Sequence, residues 1–415
     1  MSDHVSQRGV LLAQLKEQLT KAGYSTSAVC RQPVVARYFL QFLERRHISI
    51  ESVQREDVEK YLRCELRRFV RRHGHAPRSG WRASHTTGIR QLLCMIKGHW
   101  PTDPPARNPA EAANRELCAQ YVRWLDEQRG FAAGTVRGLV DEARRFLSWY
   151  DEHSASGDLR ALTIADVDAY LKTRAPSLRR VTRKKVALDL RSFLRFAHAV
   201  GRVPRDFAGC VTLPMLYAYE SIPSALSPQQ IDAVVRTCRG DHSPKGLRDH
   251  AIVLLLTTYG LRAGEIARLR LDDVDWRGDR LRIRHSKTGS QSMLPLLPTV
   301  GAALLAYLRR GRPKTDAREF FIREHAPYCG LTNFYTTLRR RLEAAGVQPA
   351  GKRGPHAFRH ARAVGLLRSG VPPKIISDVL GHRSPESVRP YLKLATKELR
   401  DVALEIDDLV GEDRK

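Results

Sequence analysis

The sequence TTYGLRAGEIARL, residues 257–269, decides the fold of the last part of the chain. It continues the apolar run AIVLLLT, residues 251–257, which predicts a buried helix, and a glycine then interrupts the helical pattern. A second helix is expected over 261–269. Arg262 lies at its start, and Glu265 follows three residues later on the same helix face. The stretch therefore predicts an arginine–glutamate pair beside a glycine turn.

The flanking sequence extends this stretch into a module of helices and strands over 225–395. Upstream, the sequence SPQQ at 227–230 has the form of a capping box with a first-turn proline, which predicts a helix start. Downstream, residues 280–284 and 292–296 alternate polar with apolar side chains on either side of the turn sequence KTG. This pattern is typical of a β-hairpin. We expect everything after Thr299 to be helical again.

Three further motifs place polar side chains at defined spacings. The sequence HSKTGS puts Lys287 at the tip of the predicted hairpin. In PHAFRH, His356 and Arg359 lie one helical turn apart and therefore side by side. In LGHRSPESVRPY, His382 precedes Tyr391 by nine residues.

These residue types suit phosphate transfer without a metal. Two arginines can clamp the non-bridging oxygens of one phosphodiester and offset the charge of the transition state. Two histidines can orient the phosphate and move protons, a tyrosine can act as nucleophile, and a lysine can protonate a departing 5′ oxygen. His356 and His360 stand four residues apart, as some zinc ligands do, but the glutamate of a metalloprotease helix is missing. We therefore expect no metal and a structural role for His360.

Two irregular, proline-containing stretches, 100–108 and 204–227, read as linkers because proline removes a backbone donor. They divide the chain into domains at about 1–100, 110–205 and 225–395. The first two have the apolar spacing of small all-helical units.

The first two domains resemble each other in sequence. Residues of the first domain are similar to residues 107 positions later in the second domain. The second domain then has two extra loop residues, after which the shift between similar residues is 109. A repeat of about 100 residues predicts two domains of one kind rather than a solenoid; chance similarity between amphipathic helices is the alternative. The matched pairs include Gly23 and Gly130, Val29 and Val136, Ala36 and Ala143, Phe39 and Phe146, and Tyr61 and Tyr170.

The second domain carries a basic helix start. Residues 163–166, TIAD, form a capping box ahead of one helix, and the next helix begins among basic residues before it turns apolar over 188–196. Such a start suits contact with DNA phosphates, whereas a solvated charged face is the alternative. The candidate DNA-binding residues are Arg179, Arg180, Arg183, Lys184 and Lys185.

Composition supports a polyanionic partner. The chain has 71 Lys and Arg against 44 Asp and Glu, a formal net charge of +27, and the basic residues are spread along its whole length. This surplus favours a protein that wraps nucleic acid, although an arginine-rich proteome is the alternative. The seven scattered cysteines contain no CxxC pair, which fits reduced thiols in the cytosol. No apolar run approaches the roughly 20 residues that a bilayer requires.

The order Arg, Lys, His-x-x-Arg, His, Tyr resembles the catalytic domain of the tyrosine recombinase (phage integrase) family. The local contexts G-L-R-x-x-E, S-K-T-G, H-x-x-R-H and L-G-H agree as well, over about 225–395. The resemblance implies that Tyr391 is the nucleophile of a 3′-phosphotyrosyl bond and that Lys287 is the general acid. It further implies that Arg262, Arg359, His356 and His382 serve the scissile phosphate, with Glu265 holding Arg262.

The same resemblance implies a mainly α fold with a small antiparallel sheet in the C-terminal domain. Two helical SAM-like domains of core-binding type would precede the α+β catalytic domain, with 1–100 an arm-type or a duplicated core-binding module. Segment 396–415 would be a tail that docks on a neighbouring protomer or frays. The implied partners are double-stranded DNA and other recombinase protomers, in a homo-tetrameric synapse or a hetero-oligomer. No cofactor and no membrane are implied, and the expected location is cytoplasmic, on the nucleoid.

Other functions would use parts of this sequence differently. A type IB topoisomerase shares the chemistry but acts alone, and a non-catalytic DNA-binding relative would have lost Tyr391 or an arginine. A general RNA- or nucleoid-binding protein would need no such ordered set. The sequence leaves open the DNA site, and it leaves transposition, phage integration and replicon resolution as settings. We favour the integration, excision or transposition of a mobile element.

Overall fold

The computed structural model describes residues 2–77, 80–101, 106, 108–154, 156–216, 225–285, 289–349, 351 and 353–381. These residues form two compact units. The first unit takes its described residues from 1–50, 78–99 and 221–415, and the second from 51–77 and 100–220. No helix in these ranges is long and apolar enough to cross a membrane.

The described residues are mainly helical, with one small sheet. Three strands, β1 (Val274–Asp275), β2 (Arg280–Arg284) and β3 (Gln291–Pro295), pair antiparallel in that order. This confirms the fold class expected from the sequence. The helices are α1 (Ser2–Lys21), α2 (Thr26–Glu44), α3 (Arg55–His73), α4 (Trp81–Lys97), α5 (Pro109–Arg129), α6 (Ala133–His153), α7 (Ile164–Arg174), α8 (Arg180–Ala199), α9 (Pro228–Arg239), α10 (Pro244–Tyr259), α11 (Ala263–Ala267), α12 (Pro298–Ala306), α13 (Tyr335–Ala344), α14 (Pro355–Arg368) and α15 (Pro373–Val379).

The N-terminal helices of the first unit pack through α2, which contacts both α1 and α4. Ser25 caps α2 by accepting a hydrogen bond from the backbone N–H of Ala28 at 3.3 Å. Phe39 of α2 and Ile89 of α4 are completely buried.

In the second unit, α5–α8 surround a core rich in aromatic side chains, among them Tyr121, Phe146 and Phe193. The capping box predicted at the start of α7 is confirmed. The Thr163 hydroxyl accepts from the Asp166 N–H at 3.3 Å, and the Asp166 carboxylate accepts from the Thr163 N–H at 2.9 Å.

Helices α2 and α6 bury their residues at equivalent positions. Under the shift of 107, every buried residue of α2 has a buried counterpart in α6. The two helices therefore present the same buried face, which is what a duplicated packing scheme requires. The pairs are Val29 and Val136, Gln32 and Leu139, Val35 and Glu142, Ala36 and Ala143, Phe39 and Phe146, Leu40 and Leu147, and Leu43 and Tyr150.

The C-terminal part of the first unit is organised around α10, which packs against α9, α12 and α14. The capping box predicted for α9 is confirmed, because the Ser227 hydroxyl accepts from the Gln230 N–H at 3.2 Å and the Gln230 side chain accepts from the Ser227 N–H at 3.0 Å. On β2, Leu281 and Ile283 point into the core and are almost completely buried.

The expectation that everything after Thr299 is helical is wrong for residues 312–334. After α12 one wide helical turn follows at Tyr307–Gly311, and the described residues 312–334 then contain no helix before α13 begins. An isolated bridge pairs Glu319 with Arg270, and another pairs Ile322 with Gly330, so the segment is joined to the start of the sheet region and folds back on itself. Phe320 and Phe321 are fully buried there, and their packing against the core overrides the local helical pattern.

Candidate active site

Arg262 owes its place to the turn between α10 and α11. Gly260 ends α10 in the left-handed region, at φ +66°, where a side chain would be strained. An added Cβ there would also lie 2.7 Å from a methyl group of Leu380. Arg262 then caps α11, and its backbone N–H donates to the Glu265 carboxylate at 2.8 Å. Its side chain is 20% exposed.

Glu265 is a buried carboxylate that joins Arg262 to the hairpin. Its oxygen Oε1 accepts from the Arg262 guanidinium at 2.8 Å and lies 2.8 Å from Nδ1 of His285. Burial by itself would raise the pKa of Glu265, but the hydrogen bonds from His285 and Arg262 outweigh it and hold the pKa below its ordinary value. The carboxylate therefore stays ionised beside Arg262.

Arg359 is more deeply buried, with 3% of its surface exposed. It lies on α14, and its guanidinium donates to the Gly260 carbonyl at 2.8 Å and to the Leu380 carbonyl. Because α14 packs against α10, the helix brings Arg359 to the glycine turn that positions Arg262.

The two arginines are held by neighbouring carbonyl groups. Arg262 donates to the carbonyl of Gly381 at 3.0 Å, and Arg359 donates to that of Leu380, the preceding residue. Consecutive Cα atoms are about 3.8 Å apart, so one short piece of backbone fixes both side chains. That piece immediately precedes His382 in the sequence.

His356 lies at the start of α14, one turn before Arg359, as the sequence predicted. Unlike Arg359, it is exposed. Its ring centroid lies 6.1 Å from that of His360. Within the described residues no group of three His, Cys, Asp or Glu side chains could hold a metal ion.

Three of the predicted site residues, Lys287, His382 and Tyr391, lie outside the described residues. The stem of the hairpin that contains Lys287 is described on both sides. The His285 N–H donates to the Ser290 carbonyl at 2.9 Å, and the Gly289 N–H donates to the His285 carbonyl at 2.8 Å.

Sequence reasoning missed His285, which is 3% exposed. Its Nε2 lies 2.8 Å from the Ser292 hydroxyl, in addition to the contact with Glu265. A signal for its burial was present, because Leu281, Ile283 and His285 follow the two-residue period of a strand face. The partner could not be read in the same way, since Glu265 lies 20 positions upstream.

The candidate DNA-binding residues lie at the start of α8 in the second unit. Arg179 caps the helix, and Arg183 donates through Nε to the Leu178 carbonyl at 2.9 Å. Lys185 pairs with Asp189, one turn further along. All five basic residues are exposed except Lys184, which is half-buried.

Comparison with known proteins identifies the family. Residues 224–398 match the family model described as "Phage integrase family". Over 403 residues, the chain is 30% identical to "Putative integrase/recombinase y4rA" of Sinorhizobium fredii, which covers 95% of this chain and 93% of that protein. The chain belongs to the phage integrase family of tyrosine recombinases.

Other relatives share different portions of this recombinase. "Putative integrase/recombinase y4gC" of Sinorhizobium fredii is 58% identical over 185 residues, 45% of this chain and 96% of that protein. "Tyrosine recombinase XerD" of Corynebacterium glutamicum is 28% identical over 305 residues, 69% of this chain and 96% of that protein. Almost the whole of that XerD thus matches, while nearly a third of this chain stays unmatched.

Solved recombinase structures have the same fold. The XerH recombinase bound to palindromic difH substrate in a post-cleavage complex superposes with a TM-score of 0.55 at 15% identity, over 72% of this chain and 90% of that one. The Tn1549 transposon integrase in complex with a circular intermediate DNA gives a TM-score of 0.51 at 16% identity, over 69% and 99%. As a family member, the protein is a site-specific DNA recombinase of the tyrosine type, an enzyme that transfers DNA strands.

Proposed function

We propose that this tyrosine recombinase cleaves and rejoins DNA strands through a 3′-phosphotyrosyl intermediate on Tyr391, in the integration, excision or transposition of a mobile element. The observation that carries the proposal is the joint anchoring of Arg262 and Arg359 on the carbonyls of Gly381 and Leu380. Two fixed cations at one short piece of backbone suit two oxygens of one phosphodiester.

The charge balance at this place also favours an anion. Glu265 offsets one positive charge and is itself bound to Arg262 and His285, so it is held away from other roles. Two guanidinium groups and one carboxylate leave a net positive charge at the site. A scissile phosphate and the charge that develops on it in the transition state would be stabilised there.

In the proposed step, the Tyr391 oxygen attacks the scissile phosphorus and forms the phosphotyrosyl ester. The bond from phosphorus to the 5′ oxygen breaks, and Lys287 donates the proton that makes the 5′ hydroxyl. His356 and His382 assist by orienting the phosphate and by accepting the tyrosine proton. In rejoining, a 5′ hydroxyl attacks the ester and Tyr391 leaves. No external energy source is needed, because one phosphodiester replaces another.

A suicide substrate tests the nucleophile. The DNA carries a nick close to the cleavage position, so that the short 5′-hydroxyl fragment diffuses away and the covalent complex accumulates. Tyr391→Phe is expected to bind this DNA like the parent protein and to form no covalent adduct, because only the attacking oxygen is removed. Tyr335→Phe, at a half-exposed tyrosine of α13, is the matched control and should form the adduct.

Gel shift and denaturing electrophoresis read binding and covalent linkage separately. A phosphotyrosyl adduct with Tyr391→Phe would show that another residue is the nucleophile. Parent protein that binds its site yet never becomes linked to DNA would instead favour a non-catalytic partner of another recombinase.

We also propose that the basic start of α8 contacts DNA phosphates and that domain 1–100 adds a further DNA-binding surface. The relative y4rA matches nearly the full length of this chain, which supports a domain organisation that the two proteins share. Two DNA sites would pair in a tetramer of this protein, or in a mixed assembly with related recombinases, on the nucleoid in the cytoplasm. The tail 396–415, outside the described residues, would dock on a neighbouring protomer.

The assembly of lambda integrase supports the tetrameric form, since its solved structure is a tetramer bound to a Holliday junction. Cross-linking of the protein on its DNA, resolved by mass, is expected to give four protomers per pair of sites. Complexes that never exceed one protomer per site would contradict this assembly.

A further inference from the structure

His285 is the point where three separate segments of the C-terminal part meet. It directly follows β2, at the stem of the hairpin that contains Lys287. Its Nδ1 lies 2.8 Å from Glu265 of α11, and its Nε2 lies 2.8 Å from Ser292 of β3. Only 3% of the residue is exposed, so these contacts form in a place that excludes water.

The third segment reaches the ring through Gly381. This glycine has φ +61°, and a Cβ added to it would lie 2.5 Å from Cε1 of His285 and 2.8 Å from both ring nitrogens. Any residue with a side chain would therefore displace the ring. The absence of a side chain lets the backbone whose carbonyl binds Arg262 approach the imidazole.

The hydrogen-bonding partners select one tautomer of the neutral ring. Because the Glu265 carboxylate is ionised, it can only accept, so Nδ1 must carry a proton and donate. In the neutral ring Nε2 then accepts from the Ser292 hydroxyl. This tautomer is assigned from the network, and it uses both nitrogens fully.

We propose that His285 is a positioning residue of this recombinase, which fastens the stem of the β2–β3 hairpin to the Glu265–Arg262 ion pair. Within the described residues its side chain acts through Glu265 and Ser292. By fixing Oε1 of Glu265, it fixes the carboxylate that holds the Arg262 guanidinium. By bonding Ser292, it ties the same carboxylate to β3. The inference rests on the proposed function only for the role of Arg262 in phosphate binding.

Three substitutions separate the hydrogen bonds of His285 from its packing. His285→Phe keeps a ring in contact with Gly381 but removes the hydrogen bonds to Glu265 and Ser292. His285→Asn places an amide nitrogen near the position of Nδ1 and so keeps the bond to Glu265. Ser292→Ala removes only the bond at Nε2. His242→Phe, at an exposed histidine of the same unit, is the control.

The readouts are the Kd for DNA and the single-turnover rate of covalent complex formation. His285→Phe is expected to leave Kd within about twofold and to slow cleavage about 10- to 100-fold, since misplacing a clamping group acts on the reacting geometry. His285→Asn should recover most of the rate, and Ser292→Ala should lose less than His285→Phe. Cleavage by His285→Phe at the parental rate, or His285→Asn as slow as His285→Phe, would overturn the proposal.

A double-mutant cycle with Glu265→Gln shows whether His285 acts through Glu265. If it does, the double variant is no slower than Glu265→Gln alone, whereas multiplied rate losses would contradict the proposal. Should His285→Phe fail to fold, the cycle is made with His285→Asn and Ser292→Ala instead. Ser292→Ala must then slow the His285→Asn variant less than it slows the parent protein.

The same cycle distinguishes this inference from the proposed function. If the parent protein forms no phosphotyrosyl adduct, the proposed function has failed, and the cycle is read on the free energy of unfolding. A coupling between His285 and Glu265 there supports the fastening of the hairpin to the ion pair. Additive losses of stability refute it whether or not the protein cleaves DNA.

Discussion

Helices α3 and α7 align with each other in the two similar stretches of sequence, yet α3 has 19 residues and α7 has 11. Their first parts agree, since Val58 and Tyr61 of α3 and Val167 and Tyr170 of α7 are all buried. The last eight residues of α3, the extension LRRFVRRH at 66–73, have no equivalent in α7. This extension contains four exposed arginines and no acid.

In the next pair of helices, α4 and α8, it is the second stretch that carries more basic residues. The eight extra residues reduce the shift between the copies from 109 to 101, and under this shift the buried Ile89, Leu92 and Leu93 of α4 fall on the buried Leu190, Phe193 and Leu194 of α8. Of the residues that correspond to the five basic ones at the start of α8, only Arg78 and Arg82 are basic.

The two similar stretches therefore bury residues at equivalent positions but carry basic charge on different helices. Buried positions are constrained because each side chain must fill a space defined by its neighbours. Exposed charge has no such constraint, so its position can differ between two stretches that bury equivalent residues. If both copies bind DNA, we expect the first to use the extension of α3 and the second to use the start of α8.

The largest expected effect is on DNA binding through α8. Replacing Arg179, Arg180, Arg183, Lys184 and Lys185 by alanine should weaken binding and reduce the salt dependence. Each lost phosphate contact lowers the slope of log K against log salt by about 0.9, so five contacts lower it by up to about 4.5. Fluorescence anisotropy at several salt concentrations measures the slope. An unchanged slope would identify these residues as a solvated face.

The extension of α3 should have the next largest effect. Alanine at Arg67, Arg68, Arg71 and Arg72 is expected to lower the same slope by up to about 3.6. Lysine at the four positions retains the charge and should retain the slope, which makes it the matched control. If the lysine variant loses as much as the alanine variant, the extension acts through shape or packing, and the comparison of the copies fails.

A third difference lies in the core. Glu142 of α6 is almost fully buried and accepts hydrogen bonds from Tyr170 at 2.6 Å, from Arg174 and from Arg145, whereas its counterpart in α2 is the apolar Val35. Glu142→Ala leaves the partly exposed guanidinium of Arg174 and the buried hydroxyl of Tyr170 without their acceptor. It should reduce the free energy of unfolding by about 3 kcal/mol.

Chemical denaturation measures this loss, with Val35→Ala as the matched substitution in the first copy. Val35→Ala removes only two methyl groups and is expected to cost less. Equal losses of stability at the two positions would mean that Glu142 contributes mainly by packing in the core and not through its hydrogen bonds.

The smallest expected effect is the pH dependence that Glu142 causes. Burial by itself would raise its pKa, but hydrogen bonds from Arg174 and Tyr170 outweigh it and hold the pKa below the ordinary 4.5. The unfolded chain therefore takes up this proton first as pH falls. The stabilisation is complete above about pH 4.5 and is lost as pH falls through the pKa of the folded protein. Glu142→Gln should remove this part of the acid sensitivity, seen as a difference between the two unfolding curves at pH 3 to 5.

Local rules predicted the parts of the fold that depend on neighbours in sequence. The capping boxes at 163–166 and 227–230 were found because each involves only four residues. Residues 312–334 were assigned wrongly because Phe320 and Phe321 take their conformation from distant partners. Arg262, Glu265 and Arg359 could be predicted as site residues because their order and local motifs resemble those of the family.

Their mutual arrangement could not be predicted from the sequence. The carbonyls that hold the two arginines belong to residues 380 and 381, and a backbone carbonyl leaves no mark in a sequence. His285 was overlooked for a related reason, since its role depends on a contact with a different segment. The roles of all the site residues stay predictions, and Lys287, His382 and Tyr391 also lie outside the described residues.

The anchoring of Arg262 and Arg359 on adjacent carbonyls has a mechanical consequence. Each arginine also has an anchor of its own, since Gly260 accepts from Arg359 and Glu265 accepts from Arg262. A movement of the Leu380–Gly381 backbone would therefore break one hydrogen bond of each arginine at the same moment while the other anchors stayed in place. Both guanidinium groups would gain freedom together, so a single backbone movement would change the order of the whole pair.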